Sequence, residues 1–118
     1  MARVVVLVPF AFDEKGLANR RAQLASVKLG PEIDFDYRPV KAGPALYDSY
    51  QDFMLADVAM YEAGLTAQED GYDAVCIDTM SDSGVNALRS VLDVSRAERE
   101  LGWRPQTALA EGLELTWG

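Results

Sequence analysis

The sequence predicts a small α/β domain built on a parallel β-sheet. Short apolar runs alternate along the chain with segments of helical periodicity, in the order βαβαβα. Strands that alternate with helices of this length are joined by right-handed crossovers, which make the strands parallel and place helices on both faces of the sheet. At 118 residues and 49% hydrophobic content, the chain is long enough for one such domain and too short for two.

The first strand and helix are predicted near the N-terminus. Residues 3–8 form a nearly continuous apolar and β-branched run that ends at Pro9, which is typical of a strand buried on both faces. Residues 13–29 follow with helical spacing, with Asp13 as the N-cap and Gly30 and Pro31 as the stop. The apolar and small side chains that recur at helical spacing are Leu17, Ala18, Ala22, Leu24, Ala25 and Val27.

The second strand is predicted at an edge of the sheet. Residues 33–40 alternate apolar and polar side chains, and Pro39 cannot donate to a backbone ladder. After Gly43 and Pro44, residues 46–68 form the strongest helix of the sequence, and its apolar stripe is predicted to face the core. The stripe consists of Tyr47, Tyr50, Met54, Val58, Tyr61 and Leu65.

The third strand and helix follow Gly71. Residues 72–78, "YDAVCID", predict a second buried strand, in which Cys76 is a buried structural thiol. The loop "TMSDSG" leads into a short amphipathic helix. Its predicted inward residues are Val85, Leu88, Val91 and Leu92. Together these elements predict a three-layer, flavodoxin-like half-domain with the strand order 2-1-3.

Two further short helices are predicted in the C-terminal tail, residues 95–118. A capping box of Ser95 and Glu98 begins the first helix, Gly102 ends it, and the second restarts at Thr107. We expect residues 1–94 to form an α/β lobe and the tail to pack on it, because the third strand otherwise leaves an open sheet edge. The apolar residues available to cover that edge are Leu101, Trp103, Leu109, Leu113 and Trp117.

Composition and charge exclude several functions. With 19 acidic and 11 basic residues, a net charge of −8 and no basic run, the chain is not expected to bind nucleic acid or a membrane surface. The absence of His excludes Ser-His-Asp and Cys-His triads and His-based zinc sites. One Cys permits no intramolecular disulfide, and the first apolar run is too short for a signal peptide, so a cytoplasmic protein is expected.

Candidate ligand-binding residues lie in two loops at the carboxyl ends of the strands. Residues 9–13 and 79–84 become neighbours if the strand order is 2-1-3. The second loop offers hydroxyls at a helix start, which favours a carboxylate or an amide ligand, and Asp82 would repel phosphate. Alternatively, Ser81, Asp82 or Ser83 simply caps its own helix. The predicted binding residues are Pro9, Phe10, Tyr47, Thr79, Met80, Ser81, Asp82, Ser83 and Gly84, with no metal among them.

Residues 1–94 resemble the N-terminal half of the aspartate/glutamate/hydantoin racemase superfamily, through "VVVLVPF", "AGPALYDSY" and "GYDAVCIDTMSDSGVNALRSVLD". The resemblance implies a cofactor-independent isomerase fold of two similar lobes, each with one catalytic Cys. Thr79 stands where the first Cys is expected, while Asp82 and Gly84 match the pattern. In relatives that lack one thiol, such as arylmalonate decarboxylases, the loop hydroxyls hold the substrate carboxylate. The second lobe is absent from this sequence.

The tail carries a second resemblance. "SRAERELGWRPQTALAEGL" is similar to the C-terminus of extended short-chain dehydrogenases of the sugar-nucleotide epimerase and dehydratase group. The dinucleotide loop and the Tyr-x-x-x-Lys pair of that group are missing, so the resemblance implies no redox or epimerase activity. The two resemblances meet near Val94, which suggests a natural or engineered chimera.

Three functions remain open on the sequence. The first is a racemase-like domain without turnover that binds a small carboxylate at residues 79–84, because a Thr hydroxyl is too weak an acid to replace a thiolate. The second is an active racemase, in which Thr79 takes the catalytic position and a homodimer supplies two loops. The third is a protein-interaction module that uses the tail helices with Trp103 and Trp117.

Overall fold

The structure, a computed structural model, describes residues 2–25, 27, 32–93 and 95–102. Its elements are β1 (Ala2–Val8), α1 (Glu14–Ala25), β2 (Ile33–Pro39), α2 (Tyr50–Gly64), β3 (Ala74–Ile77), α3 (Val85–Val91) and α4 (Ser95–Leu101). The three strands are parallel and their order is β2-β1-β3. The predicted α/β class and strand order are therefore confirmed. Because β2 and β3 flank β1, right-handed crossovers place α1 and α2 on opposite faces of the sheet.

The central strand β1 is buried because it is paired on both sides. Val5 lies between Asp36 of β2 and Val75 of β3, and five consecutive residues from Val4 to Val8 are buried. Each fully buried aliphatic side chain contributes roughly 1.5–3 kcal/mol of transfer free energy, so β1 supplies much of the core. As predicted, β2 lies at the sheet edge, and Pro39 is its last residue.

The α2 helix packs on the sheet through a narrow face on which one large side chain lies between two small residues. Ala56, Met60 and Gly64 are its buried residues. A Cβ atom on Gly64 would lie 2.9 Å from the Cδ1 atoms of both Leu7 and Leu88. The helix axis therefore lies too close to β1 and α3 for larger side chains to fit between them.

The predicted inward stripe of α2 is wrong at four positions, whereas Tyr61 is half-buried and packs against the core as predicted. Tyr50, Met54, Val58 and Leu65 are exposed, with 91%, 69%, 67% and 44% of their surfaces accessible. Because the close approach at Gly64 turns the face of Ala56, Met60 and Gly64 toward the sheet, these four residues are left on the outer side. We call these four residues the α2 stripe.

The α1 helix is shorter than predicted. Asp13 caps it as expected, since its Oδ1 accepts a hydrogen bond from the Gly16 N–H at 2.9 Å. Leu17 is buried as predicted, and an ion pair of 3.4 Å between Arg20 and Asp78 joins α1 to the end of β3. Four of the other residues at helical spacing, Ala18, Ala22, Ala25 and Val27, are exposed. The Leu24 side chain and the predicted stop at Gly30 and Pro31 lie outside the described residues.

The third strand and the helices after it agree with the prediction in outline. β3 has four residues and pairs with β1 on one side only. Leu88 of α3 is buried, whereas Val91, predicted inward, is 49% exposed because it lies on the outer side of this short helix. α4 ends before Gly102, whose φ of 65° is the left-handed conformation that ends many helices. No helix in the described ranges is long and apolar enough to cross a membrane.

The second predicted tail helix lies outside the described residues, which end at Gly102. The same holds for four of the residues predicted to cover the sheet edge, Trp103, Leu109, Leu113 and Trp117. Leu101, the fifth, lies in α4 and is half-buried.

Candidate functional site

The carboxyl ends of β1 and β3 place the two predicted loops next to each other. The Asp78 N–H donates to the Leu7 carbonyl oxygen at 2.9 Å, so the ladder between the strands continues to the residue before Thr79. Neighbouring strands lie about 4.8 Å apart, which brings the start of the loop at residue 79 beside Pro9. We call the space between these two loops the crevice, and it is the candidate site.

An aromatic cluster lies on the Pro9 side of the crevice. The Tyr47 hydroxyl donates a hydrogen bond to the Pro9 carbonyl oxygen. The Tyr47 ring lies 5.4 Å from the Phe10 ring and 6.5 Å from the Phe53 ring, measured between centroids. Phe12 stacks on Phe10, also at 5.4 Å. The sequence predicted Phe10 and Tyr47 as site residues but not Phe12 or Phe53. Aromatic side chains near the start of a helix usually belong to the hydrophobic core, so these two were not candidates for the site.

The position of Tyr47 depends on a close backbone approach. A Cβ atom on Gly43 would lie 3.1 Å from the Pro9 carbonyl oxygen and 3.2 Å from the Tyr47 hydroxyl oxygen. Burial, and to a smaller degree the nearby Asp52 carboxylate, raise the pKa of Tyr47. The phenol is therefore protonated at neutral pH and remains a hydrogen-bond donor.

The loop of residues 79–84 is held by hydrogen bonds among its own groups. The Ser83 N–H donates to Oγ1 of Thr79 at 3.2 Å, and the Ser81 and Ser83 hydroxyl oxygens lie 2.8 Å apart. Ser83 is buried, whereas Ser81 and Met80 are exposed. Asp82, with a φ of 52°, takes the left-handed conformation that Asp tolerates better than most residues. The loop therefore presents Ser81, Met80 and Asp82 to solvent.

The N-terminus of α3 is capped from α2. The Gly84 N–H donates to Oδ1 of Asp57 at 3.0 Å, across 27 positions of sequence. The alternative prediction, that Ser81, Asp82 or Ser83 caps α3, is wrong, because the carboxylate at this N-terminus comes from another helix. Sequence reasoning missed Asp57, because a cap from a distant element leaves no local pattern. A carboxylate oxygen already lies against a backbone donor of this loop.

Cys76 lies on the sheet and not in the crevice, and it is exposed. The prediction of a buried thiol is wrong because β3 is an edge strand rather than a central one. Although the residue is exposed, the apolar walls around the sulfur desolvate it and, with the Asp78 carboxylate, raise the pKa of the thiol. A raised pKa leaves little thiolate at neutral pH.

Within the described residues, the titratable side chains form no metal site. No three His, Cys, Asp or Glu side chains are grouped closely enough there to hold a metal ion.

The ion pairs of Arg3 with Asp36 and of Arg38 with Asp70 join β strands to each other or to the turn after α2. Arg3 also lies 4.6 Å from the centroid of the Tyr72 ring. These contacts stabilise the sheet away from the crevice.

Fold and site together define an α/β domain with a three-stranded parallel sheet and a crevice at its carboxyl edge, between an aromatic cluster and a hydroxyl-bearing loop. Comparisons with protein families, curated proteins and solved structures found no match.

Proposed function

We propose that the chain is a racemase-like α/β lobe, joined near Val94 to a tail of different origin, that binds a small carboxylate at residues 79–84 without turning it over. The observation that carries the proposal is the hydrogen bond from the Gly84 N–H to the Asp57 carboxylate. The bond supports the proposal because it is a contact of 3.0 Å between a carboxylate oxygen, that of Asp57, and a backbone donor of this loop. The exposed hydroxyl of Ser81 and the half-buried hydroxyl of Thr79 are further donors beside it.

The aromatic cluster favours a ligand with an apolar substituent. Phe10 lies on the neighbouring loop and Tyr47 on the segment before α2, with their ring centroids 5.4 Å apart. We expect the substituent of a carboxylate held by residues 79–84 to lie toward these rings. The Asp57 and Asp82 carboxylates oppose a dianion more strongly than a monoanion, since repulsion scales with the ligand charge. A monocarboxylate or a neutral amide is therefore the preferred class of ligand.

The chemistry of the crevice favours binding over turnover. Racemisation of an α-carbon requires one group to remove a proton and another to return it, each typically worth about 10²–10⁴-fold in rate. The Thr79 hydroxyl is too weak an acid for either role, and no neighbouring His is available to activate it. Cys76 lies on a sheet face and its pKa is raised.

Ligand-induced thermal shifts test the binding proposal. Acetate, phenylacetate, phenylacetamide and inorganic phosphate are compared on the native chain and on the variants Thr79→Val and Ser81→Ala. Phenylacetate is expected to give the largest shift, and both variants are expected to reduce it. Ser90→Ala is the matched control, because the Ser90 hydroxyl donates to the Ala87 carbonyl oxygen at 2.6 Å within α3. An absence of shift with every compound would exclude the proposal.

Deuterium exchange at the α-carbon tests the second half of the proposal. Amino acids and hydantoins incubated with the native chain in heavy water are expected to show no exchange above the buffer rate. Thr79→Cys is compared with the native chain, because it restores the thiol that the racemase resemblance implies. Exchange catalysed by the unaltered chain would contradict a lobe without turnover.

Self-association is a second candidate function, favoured by the exposure of the α2 stripe. An apolar surface along one helix is typical of an interface between protein chains. Two acidic side chains on α2 are already engaged, Asp57 by the Gly84 N–H and Glu62 by Lys41 at 3.0 Å. Of these two, only Glu62 is paired with a cation, so a contact between two copies must still overcome the net charge of −8 that each carries.

Analytical ultracentrifugation tests this homodimer. Met54→Glu, in the stripe, is expected to shift the protein to the monomer. Leu55→Glu, on the next residue but off the stripe, is the control and should leave association unchanged, since both side chains are exposed. A native chain that is monomeric at high concentration would remove the argument for a dimer.

A further inference from the structure

The outer edge of β2 carries a row of backbone groups that point away from the sheet. β2 lies at one end of the order β2-β1-β3, so it pairs with β1 along one edge only. The Val40 N–H donates to the Val8 carbonyl oxygen at 3.0 Å, so the backbone of Val40 faces β1. Backbone groups of successive strand residues point to alternate sides, and the even-numbered residues of β2 therefore face β1 as well. The residues whose backbone groups point outward are Ile33, Phe35, Tyr37 and Pro39.

This outer edge is long enough to pair with another strand. Pro39 falls on an outward position, so its missing N–H does not interrupt the ladder with β1. The edge offers the N–H groups of Ile33, Phe35 and Tyr37 and the carbonyl oxygens of these residues and Pro39. The residues of β2 span about 23 Å. No hydrogen bond joins the outer edge to the rest of the described chain.

The side chains along the edge carry an unpaired negative charge. Asp34, Asp36 and Arg38 share one face of β2, because side chains alternate between the faces of a strand. Asp36 is engaged by Arg3 at 3.4 Å and Arg38 by Asp70 at 2.8 Å. Asp34 is exposed, and none of the ion pairs among the described residues includes it. A cation on a neighbouring strand would therefore find an available partner in Asp34.

The same charges oppose a second copy of this chain at the edge. In the antiparallel register that pairs the whole of β2 with itself, Asp36 lies opposite Asp36 of the second copy. Like charges directly opposite each other destabilise a strand pair, and each copy also carries a net charge of −8. Charged side chains on an edge strand commonly prevent pairing between copies in this way. They do not oppose a strand of the opposite charge, so the edge discriminates between partners.

From the backbone register and the charge of this edge we infer that β2 binds an extended, basic segment of another protein, which adds to the sheet as a fourth strand. Main-chain hydrogen bonds to the outward groups supply the pairing, as in other cases of strand addition. Lys or Arg at alternate positions lies on the face of Asp34. The positions between them lie beside the half-buried Phe35 and Tyr37 and are expected to be apolar.

Backbone amide exchange, measured by NMR on the full-length chain, tests the edge and its occupant together. In the free protein, the N–H groups of Phe35 and Tyr37 are expected to exchange at least about tenfold faster than those of Asp36 and Arg38, which face β1. The blocked peptide Lys-Val-Lys-Val-Lys-Val-Lys is expected to slow exchange at the two outward positions. The matched peptide Glu-Val-Glu-Val-Glu-Val-Glu should leave all four rates unchanged.

Three variants are titrated with the basic peptide. Phe35→Pro removes an outward N–H and spares the ladder with β1, so the peptide should bind about tenfold more weakly. If this variant fails to fold, Asp34→Asn remains, and a loss of up to about fivefold is expected from one cross-strand charge pair. Glu98→Gln, an exposed acidic residue of α4, is its control and should stay within about twofold of the native chain.

Four results would overturn the inference. They are slow exchange of the outward amides in the free protein, no binding of the basic peptide, equal binding of the two peptides, and equal effects of Asp34→Asn and Glu98→Gln. In the first case, protection that rises with protein concentration identifies a second copy on the edge, and protection independent of concentration identifies the chain itself.

Discussion

Replacing Asp57 with Asn isolates the electrostatic part of the candidate site. The amide oxygen of Asn keeps an acceptor for the Gly84 N–H, which donates to Asp57 Oδ1 at 3.0 Å in the native chain. The substitution removes the negative charge and leaves the backbone of the loop in place. A bound carboxylate therefore loses a like-charged neighbour, and we expect it to bind more tightly.

The magnitude follows from the geometry. A ligand oxygen on a neighbouring donor of the loop lies about 5 Å from the Asp57 carboxylate, and Asp57 is exposed, so an effective dielectric constant of about 60 applies. The repulsion is then about 1 kcal/mol, which corresponds to about fivefold in Kd. Since α3 also loses a favourable charge at its N-terminus, the free energy of unfolding should fall by about 0.3–1 kcal/mol.

Isothermal titration with phenylacetate at low and high salt measures the effect. The fivefold gain should appear at low ionic strength and largely disappear in about 1 M salt, where the screening length is about 3 Å. Glu69→Gln is the control, because it removes one negative charge from an exposed site more than three helical turns further along the chain. Unchanged or weaker binding by Asp57→Asn, or an equal gain in Glu69→Gln, would refute the placement of the ligand beside Asp57.

Three other predictions concern the scaffold. Gly64→Ala should lower the free energy of unfolding in urea by about 1 kcal/mol, because its Cβ would lie 2.9 Å from Cδ1 of the buried Leu7; unchanged stability would show that α2 has room to shift. Hydrogen bonds from Arg38 hold the pKa of Asp70 below its usual value, so its stabilising contribution at neutral pH is lost as the pH falls through that lowered pKa. Asp70→Asn should therefore show a flatter decline of stability below about pH 4, and an unchanged acid profile would contradict this linkage. Tyr47→Phe should lower the melting temperature, because it removes a hydrogen bond worth about 1 kcal/mol. The affinity of the variant for a carboxylate that contacts only residues 79–84 should equal that of the native chain.

Local patterns in the sequence were sufficient to predict the sheet. The continuous apolar run before Pro9 indicated a strand covered on both faces, and β1 is the central strand. Pro39 indicated an edge, because it lacks an N–H, and β2 is an edge strand. Both signals depend on residues close together in sequence, so the strand order and the adjacency of the two loops followed from them.

The helix faces and the cap of α3 could not be predicted in the same way. On α2, the stripe of larger exposed residues and the row of Ala56, Met60 and Gly64 both recur at helical spacing, and periodicity does not decide between them. The row with Met60 faces the sheet because the backbone at Gly64 approaches Leu7 closely. The cap at Gly84 comes from Asp57, which the fold brings from another helix.

Strand identity, parallel order and the location of the crevice were thus determined by the sequence itself, since backbone donors, β-branching and proline act on their immediate neighbours. Only the tertiary structure decided which side of α2 is buried, that Cys76 is exposed, and that a carboxylate already lies at the start of α3. These features depend on the distances between elements, and such distances result from packing the whole chain rather than from any short segment of it.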